Sequence, residues 1–592
     1  MNSEQRKCQN CHQQFVIEAD DFAFYERMQV PFPTFCWECS LKHKMGWGIC
    51  FMLKKRTCDA PGHEEQIFSR FGDEKVTVYD HQFWWSDKWD APSFGREYDF
   101  NRPFFEQLKE LYIAVPLPNL MIVNSINCEY CPSAQDCKDC YLIVGGFGSQ
   151  ECMYSITPVL SQRVVDSNIS LACDTLYDCY ACTKSFNLKY SVQCNDCLDS
   201  AFLYECRGCS DCFGCVGLRN KQYHIFNKPY TKEEYKKEMA KIDLGSRAVV
   251  WEYQKRFEKH LLAFPRKYAD IKNSVNSTGH DILNAKNCKN CFQTRDDIED
   301  CSKVVLAARG VKESRDVWGG GLHSQLLYNC CQITGGQRIM FSSQIRNSHD
   351  VQYSRECFSS SNLFGCAGLR DKKYAILNKL YSKEDYEKML PRIIEHMQAM
   401  PYRDSRGKTY QYGDFLPFEF SSFRYNESSL QEYFPLTREQ ALHEGFRWKD
   451  REAREYSPTM HASEIPDSIK DVFDSVLKDI IECAHQGSCL HQCTAAFRIT
   501  PQELQFYRNY NIPLPSICPS CRATERTKWR LPFKLWHRQC RCNSRDDSIA
   551  KYQNTREHFH ADRPCPNEFE TPYQFDRPEL LYCEECYNSE IL

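Results

Sequence analysis

The chain has 592 residues, 37 of them cysteine, and carries 75 Lys and Arg against 79 Asp and Glu. The odd cysteine count excludes a fully disulfide-paired monomer, and the near balance of charge excludes a uniformly basic coat for nucleic acid. Aromatic residues at 14% exclude a disordered chain, and the length is enough for about four domains of ordinary size. No window approaches the roughly 18 apolar residues that a membrane span needs. The stretch MNSEQRKCQNCHQQF also lacks the apolar core of a signal peptide. The expectation is a cytoplasmic protein with no membrane partner, whose thiols stay reduced and act as metal ligands or packed core residues.

The first chemical signal is CQNC at Cys8 and Cys11, followed by CWEC at Cys36 and Cys39. Two such pairs, returned to each other by the chain between them, can place four thiolates around one tetrahedral zinc. Residues 1–48 therefore read as a zinc module. Residues 49–116 read as a degenerate zinc ribbon with a linker helix. Within it Cys58, His63, Asp80 and His81 form a weaker candidate set, and Phe83 stands where a ligand is expected.

From Cys128 to Cys215 there are 14 cysteines, and every interval between them is a multiple of three. A helical period of 3.6 loses this phase, and a flat strand alternates by two. The pattern predicts a short-coil β-solenoid over 117–230, with small side chains stacked inward and Asn, Asp and Ser at the corners. Free cysteine acts there as a small hydrophobe; a thiolate metal cluster is the alternative. The element FGCVGLRNKQY from Phe213 recurs as FGCAGLRDKKY from Phe364, which sets a second solenoid over 270–381. In that copy Cys194 becomes Ile345, Cys197 becomes Ser348 and Cys212 becomes Leu363. A metal ligand cannot become Ile or Leu, but a core thiol can. Helix starts at Thr231–Glu234 and Ser382–Asp385 predict capping helices over 231–269 and 382–399. The run from Trp318 to His323, which holds three glycines, reads as a wide turn between coils. Residues 400–482 form an aromatic connector that ends in a helix over Asp467 to Cys483.

The N-terminal pattern returns 482 residues later: Cys11, Cys36 and Cys39 correspond to Cys493, Cys518 and Cys521, with Tyr25 at Tyr507 and Pro31 at Pro513. The first ligand slips. Leu490 stands opposite Cys8, so Cys489 is taken as the fourth ligand of this 483–530 module, with Cys483 as its competitor. Thr500, Pro501 and Glu503 predict a capped helix between the knuckles. Farther on, Cys565, Cys583 and Cys586, with Cys540 or Cys542, form a third four-cysteine set in a ribbon over 531–592. The expectation is about three zinc ions per chain.

The segment from Cys518 to Arg541 is locally basic. Arg522, Arg526, Lys528, Arg530, Lys534 and Arg538 interleave with Trp529 and Trp536, and only Glu525 opposes them. Such a run can track phosphates and stack bases, which makes RNA or a ribonucleoprotein a candidate partner. The same charges could instead dock an acidic patch of this chain. Walker, GxSxG and HExxH patterns do not occur, and four-cysteine zinc sites have no open position for catalysis.

The motif FxIxxxELxFYxxxxxPxPxxCPxCR resembles the treble-clef zinc-ribbon family of bacterial proteins. The N-terminal copy fits at Cys8, Cys11, Phe15, Phe24, Tyr25, Pro31, Cys36 and Cys39. The C-terminal copy fits at Phe497, Glu503, Phe506, Tyr507, Pro513, Cys518, Cys521 and Arg522. With the WWSDKWD stretch (Trp84 to Asp90), RPFFEQ (Arg102 to Gln107) and LRNKQY, the layout looks like a family of large zinc-ribbon proteins with Cys-rich solenoids. The resemblance implies zinc and a repeat architecture, and no particular reaction. The whole reads as a multidomain, mainly β protein, with two Cys-rich solenoids between treble-clef modules. The expected role is a zinc-binding scaffold or adaptor with protein partners on the solenoid faces. The alternatives are an enzyme with a site between the solenoids, and zinc or thiol storage.

Overall fold

The computed structural model describes residues 3–48, 51–72, 75–450, 457–542, 552–561 and 563–591. Cys50 lies outside the described residues. The chain is mainly β, with β-solenoid coils over residues 121–376 and cysteine clusters toward both ends. Among the described residues no helix is long and apolar enough to cross a membrane.

Two compact units divide the chain. One comprises Met1–Leu120, Ala269–Lys449 and Phe533–Leu535; the other comprises Met121–Tyr268, Asp450–Pro532 and Trp536–Leu592. Each unit thus holds one stretch of solenoid and one of the two matching cysteine modules. The N-terminal module shares a unit with the later solenoid stretch.

In the earlier stretch the strands are parallel and stack at a fixed step. Asp174 pairs with Phe186, Phe186 with Leu198, Leu198 with Ser210 and Ser210 with Gln222, which makes each coil twelve residues. The corners are left-handed residues at every third position, as at Asp166, Ile169, Ala172, Thr175, Asp178, Ala181 and Lys184, with φ between 47° and 59°. Four corners per coil explain the period of three. For a residue other than glycine this conformation costs roughly 1–2 kcal/mol, so the stack must compensate through its ladder bonds and core. Stacked corner side chains help where they are polar: Asn124 bonds Asp136 and Asn187 bonds Asp199, each one coil apart.

The residue after each corner points inward, and there the cysteines lie. Thirteen of the 14 are buried in one cluster with Ile143, Val164, Leu176, Leu188 and Leu203, and Cys128 packs at its edge. Every described cysteine is a free thiol. Among the described residues no three solenoid cysteines converge in a metal-competent group, which favours the packed-core reading. Each thiol is held in the backbone lattice. Cys197 Sγ lies 3.4 Å from the carbonyls of Asn195 and Cys206, and its own N–H donates to Ser185 Oγ at 3.2 Å. Serine makes the same bonds: Ser155 Oγ donates to Met153 O (2.9 Å) and Val164 O (3.2 Å), and accepts from Ser167 N. The serines expected at corners are therefore inward residues, interchangeable with cysteine because both donate one hydrogen and fill little space.

The later stretch forms one 13-stranded parallel sheet ending in a single antiparallel strand. After an opening step of twelve (Gly279 opposite Cys291), its next coils are one residue longer, with Ser302 opposite Arg315 and Arg315 opposite Tyr328. They return to twelve from Gln325 opposite Gln337. The glycine run expected as a wide turn lies in the strand Arg315–Gly321. The longer coils absorb the extra residue, and Gly319 supplies a left-handed corner (φ 75°). Six cysteines remain inside, among Ile, Val and Leu. Helix Lys232–Met239 closes the first stretch by setting Tyr235 on Tyr223, and helix Lys383–Ala399 sets Tyr386 on Tyr374.

One predicted helix is absent. Residues 467–483 form two short 3-10 turns, Ile469–Asp471 and Asp474–Lys478, and then strand Ile481–Glu482. Arg508 takes the Val472 carbonyl at 2.8 Å and the Asp474 carboxylate at 2.6 Å, which holds this segment against the module in place of a helical ladder.

The core geometry makes Cys197→Ser close to neutral, within about 1 kcal/mol in chemical denaturation. Cys197→Phe overfills the coil and costs about 1–3 kcal/mol or more. Neither change alters zinc content; a lost metal equivalent in the serine variant would show that this thiol is a ligand.

Candidate metal centres

At the N-terminus a hairpin of Glu4–Lys7 and Gln14–Ile17 carries Cys8 and Cys11 in its turn, and Cys36 is the residue before helix Trp37–Met45. The four predicted sulfurs of Cys8, Cys11, Cys36 and Cys39 lie within 4.8 Å of one another. Cys11 and Cys36 are 3.7 Å apart, and Cys36 N–H donates to Cys8 Sγ at 3.2 Å. Zn–S bonds of about 2.3 Å put tetrahedral sulfurs about 3.8 Å apart, so the spacing suits a single ion. Hydrogen bonds from Cys36 and Cys39 hold the Cys8 thiol well below its usual range, so the thiolate of this group is favoured there.

The 483–530 module repeats this geometry with a different first cysteine. Strand Ile481–Glu482 pairs with Ala496–Phe497 and delivers Cys483, the next residue, to the place Cys8 holds. Cys518 N–H donates to Cys483 Sγ at 3.3 Å, matching the bond from Cys36 to Cys8. Cys483, Cys493, Cys518 and Cys521 form a wholly buried group. Cys489, the ligand preferred from sequence, stands 3.6 Å from Cys521 in a second group with His485 and His491. The sequence offset could not see this, because the knuckle loop is longer here. Thiol neighbours that donate to Cys493, chiefly Cys483, bring it down to about 6, toward the ligating thiolate.

The last module pairs strand Trp536–Gln539 with Glu568–Thr571, as Lys54–Thr57 pairs with Gln66–Ser69 in the N-terminal half. Both sequence alternatives at its first ligand, Cys540 and Cys542, join Cys565 and Cys586 in one group. Cys583 is 3.9 Å from Cys565, and its N–H donates to Cys540 Sγ at 3.1 Å. A further group joins Cys542 and Cys586 to His558 and His560. Both histidines lie between Cys542 and Cys565 in the sequence. The weaker candidate in the N-terminal half does not assemble: Cys58 Sγ instead accepts the N–H groups of Ala60 and Asp80. Among the described residues Cys58, His63, Asp80 and His81 form no metal-competent group.

Three residues of the basic run, Arg522, Arg526 and Arg538, are turned inward. Arg522 is buried with its guanidinium 2.6 Å from Asp166, 3.2 Å from Glu503 and 2.8 Å from Tyr507 Oη. Arg526 reaches Asp166 (3.4 Å), Asn168 (3.1 Å) and the Tyr154 carbonyl. Arg538, also buried, donates to the carbonyls of Tyr573 and Gln574. These three are occupied by the fold and withdrawn from the phosphate-contact reading. Lys528 pairs with Glu258 at 2.8 Å, Trp529 packs on Tyr204, and Lys534 lies 3.8 Å from Glu38. Arg530 follows a 3-10 turn, and Trp536 begins the strand paired with Glu568–Thr571.

The other unit shows the same docking with equivalent residues. Lys44, fully buried, meets Asp316 at 2.8 Å and Asn329 at 3.1 Å; Asp21 meets Arg315 at 2.8 Å. Under the 482-residue offset Lys44 corresponds to Arg526 and Asp21 to Glu503. Tyr25 packs edge-on to Tyr328 at 5.5 Å, and its counterpart Tyr507 packs on Tyr177 at 5.8 Å. The acidic partners Asp316 and Asp166 are both left-handed solenoid corners.

Lys44→Ala strands the Asp316 carboxylate in the core and destabilises the unit by about 3–5 kcal/mol. Pairing it with Asp316→Ala recovers most of that loss. A double-mutant cycle by denaturant unfolding checks both; additive losses would contradict the pairing. No family model, curated protein or solved structure matches this chain.

Proposed function

We propose that this protein is a zinc-folded scaffold. Treble-clef modules, with a hairpin knuckle first and a helix-start knuckle second, hold zinc and clamp rigid solenoids that present surface to protein partners. One observation carries this reading: the cysteine modules place complete four-ligand sets next to buried ion pairs that seat each module on its solenoid. Four thiolates saturate zinc and leave no position for substrate water, which is the pattern of a structural ion. The solenoid thiols, packed and hydrogen-bonded to backbone, speak against a storage role. The inward turn of Arg522, Arg526 and Arg538 speaks against RNA as the principal partner.

Small zinc domains gain on the order of 10–16 kcal/mol from their ion. Removing zinc from the full chain with a strong chelator should therefore expose residues 483–592 and 3–48 to protease. The solenoid strands should persist by circular dichroism. Purified protein without zinc, or an unchanged cleavage pattern after chelation, would refute the proposal.

A further inference from the structure

We propose that the two C-terminal centres are each binuclear, with two zinc ions joined through one cysteine thiolate. The inference rests on the zinc reading above and goes beyond the single ion per module that the spacing predicts. Each centre gathers five cysteines and two histidines. In the first these are Cys483, Cys489, Cys493, Cys518 and Cys521 with His485 and His491. In the last they are Cys540, Cys542, Cys565, Cys583 and Cys586 with His558 and His560. Seven ligands are what two tetrahedral ions need when they share one.

The geometry points to the shared atom. Cys521 Sγ lies 4.0 Å from Cys483 on one side and 3.6 Å from Cys489 on the other, and it belongs to both four-ligand groups of its module. Cys586 Sγ lies 3.7 Å from Cys565 and 3.4 Å from His560 Nε2, and it too belongs to both groups. Both are the second cysteine of the knuckle at a helix start. Cys542, 3.1 Å from His560 Nε2, stands between the two sets of its centre and is assigned with the histidines, because Cys583 completes the other set. The N-terminal module is the contrast: its knuckle spans only Cys8 to Cys11, and it has one four-cysteine group. In the C-terminal copy the corresponding loop runs from Cys483 to Cys493, and the extra length carries His485, Cys489 and His491.

The histidines are set up for metal. The Nδ1 atoms of His485 and His491 are shut off from solvent and have no hydrogen-bond partner; Glu525 comes only within 4.0 Å of the second. A buried nitrogen in that state is costly unless something satisfies it. In the last centre the outer nitrogens are engaged instead. His560 Nδ1 meets the Arg563 carbonyl at 2.7 Å, which leaves Nε2 facing Cys542 and Cys586. His558, buried, meets Glu590 through Nε2 at 3.0 Å, and Asn554 approaches its Nδ1 at 3.5 Å. A ligating imidazole anchored to a carboxylate or carbonyl through its other nitrogen is the usual second layer of a zinc site. Charge agrees: two divalent ions balance all but one of five thiolates, whereas one ion would leave three uncompensated.

Elemental analysis of the full-length protein tests this, using zinc as the only added metal. Five zinc ions per chain are expected, one at the N-terminal centre and two at each of the others. His485→Ala with His491→Ala should lower the count by one, and so should His560→Ala, with the other centres retained. Three ions per chain, or a count that these substitutions leave unchanged, overturns the binuclear assignment while zinc-dependent folding stands; no zinc at all overturns both. Cobalt(II) loading gives a second readout that needs no variant. Spins coupled through a shared thiolate remove most of the paramagnetic resonance intensity at full loading, whereas intensity that accounts for all the bound cobalt overturns the bridge.

Discussion

The arrangement of each unit depends on a buried cation set against a solenoid corner. Lys44 on Asp316, and Arg522 with Arg526 on Asp166, join a small cysteine module to a long repeat at the point where each could otherwise separate. A buried pair contributes little net stability, because desolvation offsets attraction, yet losing one partner is expensive. Its effect here is to fix position: the left-handed corner presents a carboxylate at one height of the stack, and only one register of the module meets it. The tyrosines beside it, Tyr25 on Tyr328 and Tyr507 on Tyr177, supply apolar contact around the charge. The same kind of contact recurs in both units, although module and solenoid follow each other in opposite chain order in the two.

Cysteine does two separate jobs in this chain. In the solenoids it is a small inward residue whose hydrogen meets a carbonyl, a task that serine performs at neighbouring coils and that Ile, Val and Leu replace in the later stretch. In the modules it gathers at the turn of a hairpin and at the start of a helix. The two uses differ in backbone. A solenoid thiol sits beside a left-handed corner and meets its own lattice; a module thiol meets three or more other ligand atoms.

Much of this was legible in the sequence. The multiples of three from Cys128 to Cys215 fixed a coil with corners at equal steps, because corner spacing is local and repeats. The capping box at Thr500 to Glu503 predicted helix Pro501–Asn509 for the same reason. In place of the helix expected over Asp467 to Cys483, the chain forms 3-10 turns and strand Ile481–Glu482, and Arg508 from a separate helix bonds the Val472 carbonyl.

Local pattern by itself therefore determined the period of the solenoid, the inward place of its thiols and the duplicated knuckles at the two ends. Tertiary structure alone brought Cys483 beside Cys493, Cys518 and Cys521, since that follows from strand Ile481–Glu482 pairing with Ala496–Phe497 and not from a CxxC count. It alone placed His485, His491, His558 and His560 among thiols, and it turned Arg522 and Arg526 of a basic run inward onto Asp166, more than 350 residues away in the chain. The division has one physical cause: spacing encodes contacts made within a coil or a knuckle, whereas the partner of a buried charge or a second metal ligand is set by how distant segments pack.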